Sequence, residues 1–211
     1  MADGITAADL GDWLRAFAAA VREHSAELTE LDSAIGDADH GTNMERGLAA
    51  AVTAVEALDS PTPKALLQKV GTTMVSSVGG TSGPLYGTFF LRLANSVADA
   101  DPVTPAQLAA AVRAGLEGVA ARGKAEPGDK TMLDALGPAA DALDAAVAGG
   151  GSLGEALAAA SAAADGGRDA TVPLQARKGR ASYLGERSVG HQDPGATSLA
   201  LMFAAAATTL A

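Results

Sequence analysis

Apolar residues recur at intervals of three and four along most of the chain, the spacing that lines one side of an α-helix. Leu10, Trp13, Leu14, Phe17, Val21 and Leu28 form one such side in a segment from about Thr6 to Glu30. Further segments are predicted from about Thr42 to Leu58 and from Thr62 to near Val78, the latter with Pro63 in the first-turn position that proline tolerates. A fourth follows Gly79-Gly80-Thr81-Ser82-Gly83 and runs through Phe89, Phe90 and Leu93 to about Ala98. The fifth opens on Thr104-Pro105-Ala106-Gln107, which joins an N-cap, a first-turn proline and a Gln in the capping-box position. The sixth spans about Lys130 to Ala148 and ends at Gly149-Gly150-Gly151. A second capping box, Ser152-Leu153-Gly154-Glu155, starts the seventh, which Gly166-Gly167 should end. The eighth follows Pro194-Gly195 and reaches the C-terminus. No stretch shows the period-two alternation of a strand. Short connections make successive helices antiparallel, so the expected fold is all-α: a closed up-and-down barrel or bundle of eight antiparallel helices. No linker or internal repeat divides it, and residues 1–211 read as a single domain.

Composition sharpens this picture. Fifty-one of the 211 residues are alanine and only 3% are aromatic, so much of the core has to be built from small side chains. Fifteen basic residues against 25 acidic ones give a net charge of -10, which opposes nucleic acid or an anionic membrane as partner. The absence of cysteine excludes disulfides, thiolate zinc sites and a cysteine nucleophile. Met1 to Trp13 carries Asp3, Asp9 and Asp12 and no Lys or Arg, unlike an export leader. The weakly polar tail Ala196–Ala211 falls short of the roughly 20 residues a membrane span needs. A cytoplasmic location is expected.

Four polar stretches break the helical pattern, and candidate chemistry lies in them. Leu31 to Asn43 places Asp32, Asp37 and Asp39 around Gly36. Asp37 and Asp39 share a side of an extended segment, and a turn at Gly36 brings Asp32 to them. Such carboxylates repel one another unless a hard cation such as Mg²⁺ lies between them. The competing reading is an acidic loop in which Asp39 or Thr42 caps the next helix. Gly41-Thr42-Asn43 would offer backbone N–H groups to phosphate at that helix start. An EF-hand fails, because Asn43 stands where the twelfth-position Glu should be. His40 alone reads equally well as a polar loop residue.

The second stretch, Val78 to Gly87, is a glycine-rich turn into a helix, a phosphate site or a plain connector in which Thr81 and Ser82 cap. Gly118 to Ala125 imitates a P-loop, but Ala125 replaces the metal-binding hydroxyl and a helix precedes it. The loop Arg122 to Met132 remains polar and dense, with Gly123 and Gly128 marking either close backbone approach or a helix end. The longest departure, Ala176 to Gly195, holds four of the basic residues and suits anions, or else is a solvated surface loop.

Taken together and in order, Leu31–Asn43, Gly79–Leu85, Arg122–Met132 and Ala176–Gly195 resemble the nucleotide-binding L subunits of bacterial dihydroxyacetone kinases over nearly the whole chain. That family folds as a barrel of eight antiparallel helices with ADP at one end. The resemblance implies that Asp32, Asp37 and Asp39 bind two Mg²⁺ ions. It implies that His40, Gly41, Thr42, Asn43, Thr81, Ser82, Gly123, Met132, Arg180, Asp193, Pro194 and Gly195 line the ADP/ATP site, with Met132 near the base. Thr81 stands where the family generally has a small residue. The Gly-His-Gln-Asp-Pro-Gly ending and the free-standing length look like the phosphotransferase-system type rather than the fused ATP-dependent type.

The implied activity is that of a phosphotransferase subunit, phosphoenolpyruvate-glycerone phosphotransferase. Tightly held ADP is rephosphorylated by a phosphohistidine carrier, the M subunit, and the γ-phosphoryl passes to dihydroxyacetone on a separate K subunit. Arg180 would support the transferring group, and no residue is assigned as acid or base. Two other readings stay open at this level: an ATP-dependent kinase subunit for dihydroxyacetone or a tetrose such as erythrulose, and a non-catalytic nucleotide sensor that binds a transcriptional regulator. The oligomeric state, homodimer included, is not fixed by the residues.

Overall fold

The computed structural model describes residues 4–97 and 100–211. Its helices are α1 (Ala7–Glu23), α2 (Ser25–Ile35), α3 (His40–Glu56), α4 (Pro63–Ser77), α5 (Ser82–Val97), α6 (Pro105–Gly123), α7 (Leu133–Ala148), α8 (Leu153–Ala170) and α9 (Pro194–Thr209), with a 3₁₀ segment over Arg180–Ser188. Among the described residues there is no strand, only an isolated bridge between Ile5 and Val103. The all-α expectation holds.

The predicted start signals act as written. Thr104 and Gln107 form a reciprocal capping box at α6, and Ser152 and Glu155 form another at α8. Thr6 and Asp9 form a third at α1. Thr62 caps α4 through the Ala65 N–H, with Pro63 in the first turn. The expected end of the fourth segment, Ala98, lies outside the described residues.

Three boundaries differ from the sequence reading. The first segment is divided at His24, whose backbone leaves helical geometry at φ -96°, ψ 11°. The second piece continues beyond Glu30 to Ile35 and so carries Asp32. The sixth segment starts at Leu133 rather than Lys130, because Lys130 adopts a left-handed backbone with φ 62° that no α-helix accommodates. The seventh runs through Gly166-Gly167 to Ala170. A Cβ at Gly167 would stand 2.2 Å from the Asp134 carbonyl oxygen of α7, so this glycine serves close helix packing rather than termination.

Each wall helix packs on its neighbour in sequence, and α9 returns to α1, which closes a ring of eight: α1 and α3 to α9. The division at His24 is what frees α2 from this wall. It scarcely touches α1 and instead packs on α3, α9 and the 3₁₀ segment at one end of the ring. The core is unevenly built. Trp13, Phe17, Tyr86, Phe89 and Phe90 gather between α1 and α5, whereas the α7–α8–α9 side packs through Ala135, Ala139, Ala156, Ala160, Ala164 and Ala196. The Trp13 indole N–H donates to the Met202 carbonyl at 3.0 Å and ties the bulky side of the ring to α9. No described helix is long and apolar enough to cross a membrane.

Alternation of direction around the ring puts the connections α2–α3, α4–α5, α6–α7 and α8–α9 at one end. These hold the four polar stretches singled out above.

Candidate nucleotide and metal site

A cavity of about 210 Å³ opens at that end, far larger than the space of about 10 Å³ beside Trp13 within the core. It is lined by Asp32, Asp37, Asp39, His40, Asn43, Thr81, Ser82, Gly123, Met132, Arg180, Asp193, Pro194 and Gly195 among the sequence-predicted residues. Gly41 and Thr42 stand one turn back: Gly41 is buried against α2, and the Thr42 hydroxyl donates to the Asp39 carbonyl at 3.0 Å.

Oxygens of Asp32, Asp37 and Asp39 all lie within 4.8 Å of one another. The chain turns at Gly36, and Ala38 takes a left-handed backbone at φ 60°, a strained choice for alanine that brings Asp37 and Asp39 around to face α2. Asp39 is the N-cap of α3, yet its side chain caps nothing. The N–H groups of Asp39 and His40 donate instead to Asp32 Oδ2, at 2.8 and 3.2 Å. Capping therefore does not account for the carboxylate of Asp39, which leaves it free for a ligand. Arg180 Nη2 lies 3.0 Å from Asp37 Oδ2 and is the cation nearest the cluster in the described structure.

His40 sits in a buried polar chain. Ser198 spends its one proton on the Gly195 carbonyl at 3.1 Å, so it accepts from His40 Nε2 at 2.9 Å and from the Tyr86 hydroxyl at 2.8 Å. That assigns the proton to Nε2 and leaves Nδ1 to accept the Ser82 hydroxyl at 3.2 Å. Burial lowers the His40 pKa against the opposing pull of Asp32 and Asp39, so the ring is neutral. With its proton turned inward to His40, Ser82 presents oxygen lone pairs to the cavity. Burial likewise raises the pKa of the Tyr86 phenol.

Asp193 caps α9 by accepting the Ala196 N–H at 2.7 Å, and burial pushes its pKa up from 3.8 to about 7. Helices α3, α5, α7 and α9 all begin at the cavity, so four positive dipole ends lie where an anion would bind. Ile35, Leu85, Val119, Met132 and Leu133 supply an apolar wall.

Sequence reasoning missed several contributors. Lys130 and Asp129 are buried beside the cavity, in the loop read only as polar and dense. Gly123, read there as either a close approach or a helix end, is the last residue of α6, with Lys124 in left-handed geometry after it. Tyr86 and Ser198 looked like ordinary helix positions; only the pairing of α5 with α9 across the ring reveals them. Lys178 and Gly179 also face the cavity.

The chemistry of the donor set fits a hard divalent cation. Three clustered carboxylates offer oxygen only, and one of them is not used by the fold.

Comparison with known proteins identifies the family of the chain. The family described as the DAK2 domain matches residues 34–208. The ADP-binding subunit DhaL of the PEP-dependent dihydroxyacetone kinase of Escherichia coli (strain K12) is 47% identical over 191 residues, which span 90% of this chain and 91% of that subunit. The ADP-binding subunit DhaL of the PTS-dependent enzyme of Lactococcus lactis is 39% identical over 192 residues, 91% of this chain and 92% of that one. The crystal structure of the C. freundii dihydroxyacetone kinase in complex with AMP-PNP and Mg2+ aligns at a TM-score of 0.74 and 25% identity. The alignment covers 97% of this chain and 34% of that longer one. On the extent of the family match and the identity to relatives of equal length, the chain belongs to the DAK2-domain family.

Proposed function

We propose that the whole chain, residues 1–211, is one nucleotide-binding domain and serves as the ADP-binding subunit of a phosphoenolpyruvate-dependent dihydroxyacetone kinase. The observation that carries this reading is the meeting of three carboxylates, Arg180 and four helix N-termini in one cavity with an apolar wall. The names and matching lengths of the E. coli and L. lactis relatives support it. In this reading ADP stays bound, a phosphohistidine carrier subunit supplies the phosphoryl group, and dihydroxyacetone on a separate subunit receives it to give dihydroxyacetone phosphate. The subunit works in the cytoplasm.

Asp32, Asp37 and Asp39 would hold Mg²⁺, two ions in the full complement, whose chemistry is to neutralise charge on the phosphate oxygens. The protein's own share is positioning and electrostatics. Asp32 is fixed by the two N–H groups of the α3 start, so its free oxygen has one direction open to it. Arg180 reaches the cluster from the facing loop and offers forked donors to an anionic oxygen. Neutral His40 accepts the hydrogen bond of the Ser82 hydroxyl and so leaves the Ser82 oxygen lone pairs facing the same space. Gly79 and Thr81 line the same space, and Met132 with Leu133 would pack against the base. A general base is unnecessary on this chain, because the acceptor hydroxyl belongs to the partner.

Titration of the purified, nucleotide-stripped chain with ADP, with and without Mg²⁺, tests this. Metal-dependent ADP binding is expected, and Asp37→Asn should abolish it while far-ultraviolet circular dichroism stays unchanged. A wild-type chain that ignores ADP in the presence of Mg²⁺ refutes the nucleotide site; full multiple turnover on free ATP alone refutes the carrier relay.

A further inference from the structure

The connection between α8 and α9 is closed at its base. Thr171 Oγ1 accepts the Asp193 N–H at 3.0 Å, and the Gly190 N–H donates to the Val172 carbonyl at 2.8 Å. Higher up, Ser188 Oγ accepts the Ala176 N–H at 2.9 Å and donates to the Gly185 carbonyl at 2.6 Å. The two limbs thus run side by side as in an Ω-loop.

What fills the middle of this loop comes from elsewhere in the chain. Lys130, on the α6–α7 connection, is 1% exposed. Its ammonium donates to the Ser188 carbonyl at 2.6 Å, the Leu174 carbonyl at 3.0 Å and the Val172 carbonyl at 3.4 Å. An ammonium has three protons, and three acceptors from both limbs converge on it. Lysine is almost never buried this far unless its charge is satisfied. The neighbouring Asp129 carbonyl accepts the Arg177 N–H at 3.0 Å, so the backbone of the same connection grips the loop as well. The left-handed φ of 62° at Lys130 is disfavoured for a side chain of this size and survives because the contacts around it hold it. The outer part of the loop is pinned separately, by the apolar cluster of Ala176 and Ala181 with Ile35 of α2. Arg180 directly precedes Ala181 in this outer part.

We propose that Lys130 is a positioning residue whose ammonium clamps the two limbs of the α8–α9 loop together, so that Arg180 is held over the carboxylate cluster. The ligand in this inference rests on the nucleotide reading above; the clamp itself rests only on the contacts just given. Met132, two residues after Lys130, lines the same cavity as Arg180. Removing the ammonium leaves the Leu174 and Ser188 carbonyls without their donor, while the Val172 carbonyl keeps the Gly190 N–H, and the limbs part to let water reach the two that are freed.

The test compares wild type, Lys130→Met, Arg180→Ala and the double variant, each as the full chain. In the ligand-free protein, amide hydrogen exchange over residues 174–190 should rise by at least about tenfold in Lys130→Met while the wall helices keep their protection. With Mg²⁺ present, ADP should dissociate about tenfold faster from Lys130→Met, the lower end of what losing a supporting partner does at comparable sites. The double variant should release ADP no faster than Arg180→Ala alone, because the clamp acts through Arg180. Since the chain has no cysteine, Lys130→Cys can be alkylated in the unfolded state with bromoethylamine and refolded, which restores an ammonium at nearly the original reach and should restore both readouts.

Unchanged exchange over residues 174–190 overturns the clamp. So does an ADP effect that adds fully to that of Arg180→Ala. If neither Lys130→Met nor uncharged forms of Lys130→Cys fold, Lys130 is a folding requirement and the proposal fails. A wild type that binds no ADP refutes the nucleotide reading instead, and the exchange experiment then decides the clamp by itself.

Discussion

Asp193 caps α9 from a buried position, and that burial sets a pH dependence for the ligand-free chain. In the unfolded chain its carboxyl ionises near 3.8; in the fold it keeps its proton to about 7. Between those values the folded state binds the extra proton, so this group's contribution to stability is full below pH 4 and lost as pH rises through about 7. One proton limits the slope to about 1.4 kcal/mol per pH unit. Asp193→Asn keeps an oxygen for the Ala196 N–H while removing the titration. Denaturant unfolding at pH 5 and pH 8 should therefore show a smaller difference in the variant, and equal differences would show that Asp193 is not the responsible group. The same residue illustrates what can be read without a fold. Its place one residue before Pro194 marks a cap in any sequence, but nothing local shows that Lys130, Asp134 and Asp32 all act on its charge.

At the scale of elements, helix starts were legible because their chemistry is local. Thr104 with Gln107 and Ser152 with Glu155 need only each other. The division at His24 was not legible, since Leu28 lies 18 residues after Leu10, five whole turns of a helix, and so keeps the apolar stripe in phase across the break. The break matters because α2 carries Asp32 to the α3 start. Its seat is tight: a Cβ at Gly41 would stand 2.0 Å from the Ser25 carbonyl oxygen and 2.5 Å from Thr29 Oγ1, both on α2. Gly41→Ala should therefore push α2 away and destabilise the chain by about 1–3 kcal/mol, the usual range for overpacking, less whatever alanine returns in helix propensity. Because Asp32 rides on α2, Mg²⁺-dependent ADP affinity should fall with it. Thermal unfolding and ADP titration of the same variant check the two effects, and an unchanged melting temperature would mean that α2 shifts without cost.

In the whole molecule, direction alternates from helix to helix around a closed ring, and this sorts the connections by end. Those at 36–39, 78–81, 124–132 and 171–193 meet at the cavity, while those at 57–62, 100–104 and 149–152 lie at the other end. A four-residue Gly-Ser insertion in the exposed turn Gly149–Gly151 should therefore leave ADP affinity unchanged, whereas the same insertion after Gly128 should abolish binding. Calorimetric titration of both variants, each with a melting curve, decides it; loss of binding from the far-end insertion would mean that the ring transmits strain along its length.

The chain by itself determined the helical class, most helix starts and the four polar interruptions, because periodicity, caps and glycine turns act within a few residues of one another. The motifs also carry a family resemblance that points to the carboxylate trio and Arg180 as site residues. Tertiary structure alone decided which polar groups cooperate. His40, Ser198 and Tyr86 are joined across three helices, and Lys130 fills a loop that begins some forty residues later. Such contacts depend on ring closure and helix register, which are set by the packing of the entire core and leave no local trace.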